Sequence, residues 1–588
     1  MSIPQETNQI LVQPGWFGPP HTPQFGWLHA PSGGARGGVV LCPPIGLELQ
    51  QSQYCFRILS DALAAKGFVV ARFDYAGTGD SAGSSTAADT VGRWIASIEQ
   101  AVELVRSTGV EWVAGAGLRI GATLLANARP AENLDALILW DPCLSGRSFL
   151  REQRTLHSAA TRVSGEELPG VEMPGWSLST EAAAELATLT LEPAAKLASN
   201  ALLLADPRRP YPKTIEMLAA SPGVERQDYV EDGSAFDSGA AGYVAPRRTL
   251  EQLAGWISEQ CPSTVVPTRR PVGFHERAVV GSTLEGPVVE EVVRLGPLGL
   301  FGISTRIGST SSLPVILFLT NAAQSRIGPM RQWVELARLW AGMGFQAVRF
   351  DFSGIADSPV RDGQAEHAIY ASEVLDDIVD VAHHVSPDDP ANVILVGLCS
   401  GAVAALAVAP RLRPRGVVAI NPRLTTLGFA PAPEARRREI ARLAHSSRAA
   451  QPTPESGGAR WREHVGDRLP PLFWTAATSL GLGHSPGRFL GPLTRAAVPT
   501  LLICGSEEAQ AARTRTPKLL RRLGEIPLGR FELVPDLEHA LNRESDRQVV
   551  RKLATSYLEA FVAERLDTAS PAPSAPRRYT SELPGLPR

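Results

Sequence analysis

Gly67-Phe68, leading to Arg72-Phe73-Asp74-Tyr75-Ala76-Gly77-Thr78-Gly79-Asp80-Ser81, is written again as Gly344-Phe345, leading to Arg349-Phe350-Asp351-Phe352-Ser353-Gly354-Ile355-Ala356-Asp357-Ser358, 277 positions later. A second pair, Gly117-Leu118-Arg119-Ile120-Gly121 and Gly397-Leu398-Cys399-Ser400-Gly401, is offset by 280. Two separate motifs at nearly equal offsets mark a tandem duplication. The 588 residues are too many for one ordinary core, and the repeat says how they divide: two copies of one unit.

Each copy reads as alternating strand and helix. In the first, Val39-Val40-Leu41-Cys42 is a short strand, Tyr54 to Ala65 has helical spacing, and Phe68 to Asp74 is a strand again. A helix around Trp94 to Val105 and a strand from Glu111 to Ala114 follow. That pace implies a mostly parallel sheet with helices on both faces. In the second copy, Val393-Ile394-Leu395-Val396 suits a buried strand, and the small residues Ala402 to Leu406 suit a helix close to a sheet. Between them a five-residue turn has glycine at both ends and a thiol in the middle. The glycines allow a sharp bend without Cβ clashes. The sulfur then stands over the positive end of the next helix, where a thiolate is favoured.

Composition narrows the class. With 44% hydrophobic residues, 20% charged residues and a formal charge of −3, the chain does not resemble a nucleic-acid-binding protein, which would be basic. No apolar run approaches the roughly 18 residues of a membrane-spanning helix. Met1 to Glu6 lacks a basic region followed by an apolar core, so no secretory signal is expected and the default location is cytoplasmic. The six cysteines are scattered with no Cys-x-x-Cys pair, which suggests neither a zinc site nor a disulfide framework. No metal or cofactor is expected, since there is no His-x-x-x-His or dinucleotide fingerprint.

The elbow around Cys399, the Arg-Phe-Asp…Gly…Asp-Ser loop and the order of polar residues downstream resemble the α/β-hydrolases. Within them, the paired hydrolases associated with exosortase systems and the serine-aminopeptidase-like lipases are the most similar. The resemblance covers nearly the whole chain and implies two tandem α/β-hydrolase domains, each with a lid insert. It also implies a triad in the chain order nucleophile, acid, His. Cys399 stands where the family usually has Ser. The family acid follows a strand-ending glycine by three residues; Thr500 to Gly505 fits, and selects Glu508, with Glu507 and Glu538 as rivals. The family's His position falls on His539. The oxyanion hole should use the Ser400 N–H and a second N–H near Ala322, after the strand Val315 to Leu319.

A cysteine is most often a small buried hydrophobe, and a loop histidine is usually just solvated. Position in the elbow and in the triad order argues for function here. A Cys nucleophile gives a thioester intermediate, still activated toward alcohols, amines and thiols. The expected activity is hydrolysis of an ester or thioester; an acyltransferase or cyclase is the alternative, and an inactive binding or scaffold protein the second alternative. From Arg423 to Arg495, eleven Arg face five acidic residues. That net +6, which includes Arg436, would suit an anionic partner such as coenzyme A or an acidic carrier protein, although a solvated charged helix explains it too.

The first copy lacks the chemistry. Arg119 cannot act as a nucleophile, and no His occurs between His157 and His275. Asp206 could stand at the acid position. Arg119 is instead a candidate anion-binding residue, and this half is expected to be a pseudo-hydrolase. Asp351 and Asp357 read as structural turn residues. The expected division is an irregular lead-in over 1–35, an N-terminal domain over 36–262, a linker over 263–285, a C-terminal domain over 286–566, and a disordered Pro-rich tail over 567–588. The oligomeric state is left open.

Overall fold

The structure is a computed structural model; it describes residues 9–569 except 88, 129–132, 162–169, 192–199, 207–212, 231–244, 309–310, 368–372 and 425–485. The described residues form two large sheets of matching plan. The first has eight strands in the order Ile10–Phe17, Gln24–Pro31, Phe68–Phe73, Gly37–Cys42, Val113–Leu118, Ala136–Trp140, Ala201–Ala205 and Val224–Asp228. The second has nine: Arg277–Thr283, Gly286–Leu295, Leu300–Arg306, Ala347–Phe350, Val315–Leu319, Val393–Leu398, Gly416–Ile420, Thr500–Cys504 and Arg530–Leu533. In both, the leading strands pair antiparallel and the rest pair parallel. The inner parallel strands are near-continuous apolar runs because helices bury both of their faces, as with the fully buried Val393–Leu398.

Two sequence expectations need correction. Within the expected irregular lead-in over 1–35, Ile10–Phe17 and Gln24–Pro31 are paired strands, and Trp16, Phe25 and Trp27 are buried. Pro14 and Gly15 masked the pattern, but an edge strand tolerates both. Within the expected linker 263–285, Arg277–Thr283 forms the edge strand of the second sheet. The last helix, Glu544–Ala569, runs slightly into the expected tail; the rest of that tail lies outside the described residues. Among the described residues no helix is long and apolar enough to cross a membrane.

The repeated Arg-Phe-Asp…Asp-Ser motif explains how the halves meet. Arg72 of the first sheet pairs with Asp357 of the second half at 2.6 Å. Reciprocally, Arg349 of the second sheet pairs with Asp80 of the first half. Each motif thus supplies one cation and one anion to the other, as in a two-fold dimer contact. Ser81 and Ser358 keep their own loops closed, accepting from Phe25 N at 2.8 Å and Phe301 N at 2.9 Å. Around these charges Trp16, Phe25, Trp27, Phe301 and Ile303 form one apolar cluster drawn from both halves, with the Trp27 and Phe301 rings 4.5 Å apart. Asp357 is therefore more than the local turn residue its spacing suggests. Removing one partner of a buried pair strands the other charge without water. Asp357→Asn is expected to lower stability by about 3–5 kcal/mol, seen as a reduced denaturant midpoint at unchanged slope.

Candidate active site

Register brings the chemistry together. Leu319, Leu398, Ile420 and Cys504 end neighbouring parallel strands, so the loops after them share one edge of the second sheet. Cys399 follows Leu398 at φ 53°, ψ −115°, a strained backbone for a non-glycine residue. The bend needs its glycines: a Cβ on Gly397 would lie 2.4 Å from the Gly401 carbonyl carbon, and one on Gly401 would lie 2.8 Å from the Leu319 oxygen. The thiol sits at the start of the helix Ser400–Leu412 and is half-buried.

His539 lies 140 residues further on, yet its Nε2 is 3.1 Å from Cys399 Sγ. Its Nδ1 is 2.6 Å from Glu508 Oε1. Glu508 stands in the first turn of the helix Ser506–Arg515, whereas Glu507 beside it is exposed and Glu538 accepts from Asn542 N at 2.7 Å. The carboxylate facing the imidazole is therefore Glu508.

Electrostatics separates Cys399 from the other thiols. Burial disfavours its charge, but the His539 charge and hydrogen bond, the Arg423 charge and the Ser400 N–H together outweigh it and lower its pKa. Burial pushes the remaining five cysteines, Cys42, Cys55, Cys143, Cys261 and Cys504, upward. For His539, burial opposes protonation, yet the thiolate and Glu508 raise its pKa to about 9. These shifts favour the thiolate–imidazolium form of the pair, with the Glu508 carboxyl held below its usual range beside it: burial opposes that charge, and the His539 hydrogen bond and charge more than offset it.

Residues 326–552 match the sequence model of the alpha/beta hydrolase family. The match lies wholly within the second half of the chain. Among solved structures, the chain is similar to Est1E from Butyrivibrio proteoclasticus at 14% identity, covering 42% of this chain and 98% of that one, with a TM-score of 0.32. An esterase from Pyrococcus furiosus is similar at 15% identity, over 46% and 92% of the two chains, with a TM-score of 0.29. A dienelactone hydrolase from Anabaena variabilis is similar at 15% identity, over 46% and 94%, with a TM-score of 0.28. No curated protein matches the chain.

The expected oxyanion pair needs revision. Ala322 N–H does not stand free: it donates to Ser400 Oγ at 2.7 Å. Ser400 opens the helix behind that loop, and its short side chain reaches the amide. Its hydroxyl keeps a proton to donate onward, and its backbone N–H bonds the Cys399 sulfur. Arg436 lies outside the described residues.

The anion site expected at Arg119 is overturned. Its side chain is buried among Glu48 at 3.4 Å, Asp141 at 3.5 Å and Glu152 at 2.5 Å. Three carboxylates already surround the guanidinium and would repel an added anion. Arg119 keeps the elbow shape, φ 55°, ψ −122°, with ion pairs in place of chemistry.

Asn421 escaped the sequence reading. Fully buried at the end of Gly416–Ile420, it donates to Glu538 O at 3.0 Å and His539 O at 3.3 Å, and accepts from Gly505 N at 2.8 Å. One amide thus ties the loop bearing His539 to the turn before Glu508. A signal existed: Asn421 and Asp141 stand 280 apart, the same offset as the two elbows. Asn421→Ala is expected to lower turnover by about 10²-fold, the scale of an ångström of misplacement. Steady-state kinetics should find the loss in kcat.

Proposed function

We propose that the C-terminal domain hydrolyses an ester or thioester through Cys399, His539 and Glu508. The carrying observation is the unbroken contact chain, Sγ to Nε2 at 3.1 Å and Nδ1 to Oε1 at 2.6 Å. The Cys399 thiolate bonds to the acyl carbon while the carbonyl electron pair moves onto oxygen. Ser400, at the helix start, donates to that oxygen. The pair returns, the bond to the leaving oxygen or sulfur breaks, and the His539 imidazolium supplies the leaving group's proton. Neutral His539 then removes a proton from water, whose oxygen attacks the acyl-cysteine. The thioester bond breaks, the acid leaves, and thiolate and imidazolium are restored. Glu508 keeps Nδ1 protonated and Nε2 aimed at the sulfur throughout.

A second reading is favoured by the sulfur itself. The acyl-cysteine remains an activated thioester, so an alcohol, amine or thiol in place of water makes the enzyme an acyltransferase. Arg423 supports an anionic substrate, such as an acyl group on coenzyme A or on an acidic carrier. Its charge acts on Cys399, His539 and Glu508, and among the described residues it has no ion-pair partner. The tandem arrangement belongs to the same reading: the N-terminal half keeps the scaffold without a nucleophile.

Intact-mass labelling with p-nitrophenyl esters and acyl thioesters tests this, with and without an amine acceptor. The expected product is one acyl group on Cys399, released to water or passed to the amine. A folded chain that never gains that mass would instead be a binding or scaffold protein.

A further inference from the structure

The loop that carries Ala322, residues 321–331, is strained and is held largely from outside its own domain. Three of its non-glycine residues have left-handed backbones: Ala322 at φ 49°, Met330 at φ 54° and Arg331 at φ 65°. Such a conformation persists only where its surroundings over-determine it. Many of those surroundings come from the N-terminal half. The Arg331 guanidinium, buried, donates to Gly79 O at 2.9 Å and to Ser81 O at 2.6 Å. Arg326 pairs with Asp80 at 2.7 Å as well as with Asp351 and Asp357 of its own half. Gln50 donates to Gly328 O at 3.3 Å and accepts from Gln324 Nε2 at 3.4 Å. Gly175, in the turn between Val171–Met173 and Trp176–Leu178, leaves room for Met330: a Cβ there would lie 1.6 Å from the Met330 sulfur.

From this geometry we infer that the N-terminal half is a positioning partner for the reaction, clamping the loop that meets Ser400 beside Cys399. The inference rests on the proposed acyl-cysteine chemistry and goes further by giving the half without a nucleophile a part in it. The loop end at Ala322 meets Ser400 Oγ, the middle is fixed to Asp80 through Arg326, and the other end to Gly79 and Ser81 through Arg331. Shifting the clamp should move the Ser400 hydroxyl, which Ala322 N holds, away from the carbonyl oxygen. It should leave the Cys399–His539 pair alone, because none of the clamp's contacts reaches either residue.

That separation gives the test. Acylation, in which Sγ bonds to the acyl carbon and p-nitrophenolate leaves, needs the oxyanion donors. Alkylation by iodoacetamide, in which Sγ displaces iodide, needs only the thiolate. The full chain would be compared with Gly175→Ala and Gln50→Ala, measuring the p-nitrophenyl acetate burst and the mass gain from iodoacetamide at one pH. Gly175→Ala is expected to slow acylation at least about tenfold, on the scale of small misplacements, while alkylation stays within about twofold. Gln50→Ala should change the same ratio in the same direction, and it carries the test if Gly175→Ala fails to fold, since it removes only two hydrogen bonds at a half-buried position. Unchanged acylation overturns the clamp, and so does a parallel fall of both rates, which would trace the defect to the thiolate. A wild-type chain that alkylates yet never acylates overturns the hydrolase reading itself, and the clamp with it.

Discussion

Cys399→Ala is expected to cut the turnover of a p-nitrophenyl ester by about 10⁴-fold or more and to abolish the acyl adduct. The scale follows from how triads fail: without the nucleophile, only substrate binding and the oxyanion donors remain, and water must attack unaided. The fold should survive. Cys399 is half-buried at the sheet edge, and Ala removes one sulfur while keeping the Cβ that the strained turn already accommodates. Thermal unfolding should therefore stay close to wild type, so the kinetic loss reads as chemistry. A variant that keeps a tenth of wild-type turnover would mean that the reaction does not pass through the sulfur. The same variant should lose the fast phase of iodoacetamide labelling, because the other five thiols are buried and held in the protonated form.

What the sequence made legible were features whose partners are set by strand order. Once Val393–Leu398 and Thr500–Cys504 are strands of one parallel sheet, their C-terminal ends share an edge, and residues 399, 508 and 539 are drawn together. Features set by side-chain reach across the fold were not legible. Nothing near Arg119 in the chain announces Glu48 and Glu152, which come from two other helices and turn a candidate anion site into an internal ion-pair cluster. The motif aspartates read as turn caps because local spacing is all that a single copy offers. Their reciprocal use, Arg72 to Asp357 and Arg349 to Asp80, appears only when both copies are in place. The strand Ile10–Phe17 hid behind Pro14 and Gly15, since an edge position relaxes the rules by which strands are recognised.

His539→Gln should produce the second large effect, and a more diagnostic one. Glutamine can still hydrogen-bond to the sulfur but carries no charge, and in the wild type the imidazolium is the principal partner that offsets the burial of the thiolate. Without it the thiol pKa must rise, so iodoacetamide labelling at neutral pH should slow at least about tenfold, one pKa unit corresponding to one decade. Ester turnover should fall further, by about 10⁴-fold or more, because the variant also loses the proton donor for the leaving group and the base for water. In the wild type, acylation should climb as pH rises through the lowered pKa of the thiol. It should fall again above about 9, where His539 gives up its proton and can no longer protonate the leaving group. Alkylation has no leaving group to protonate, so its rate should climb with the thiolate and show no fall near 9. A descending limb in alkylation as well would mean that His539 governs the sulfur alone and takes no part in the transfer.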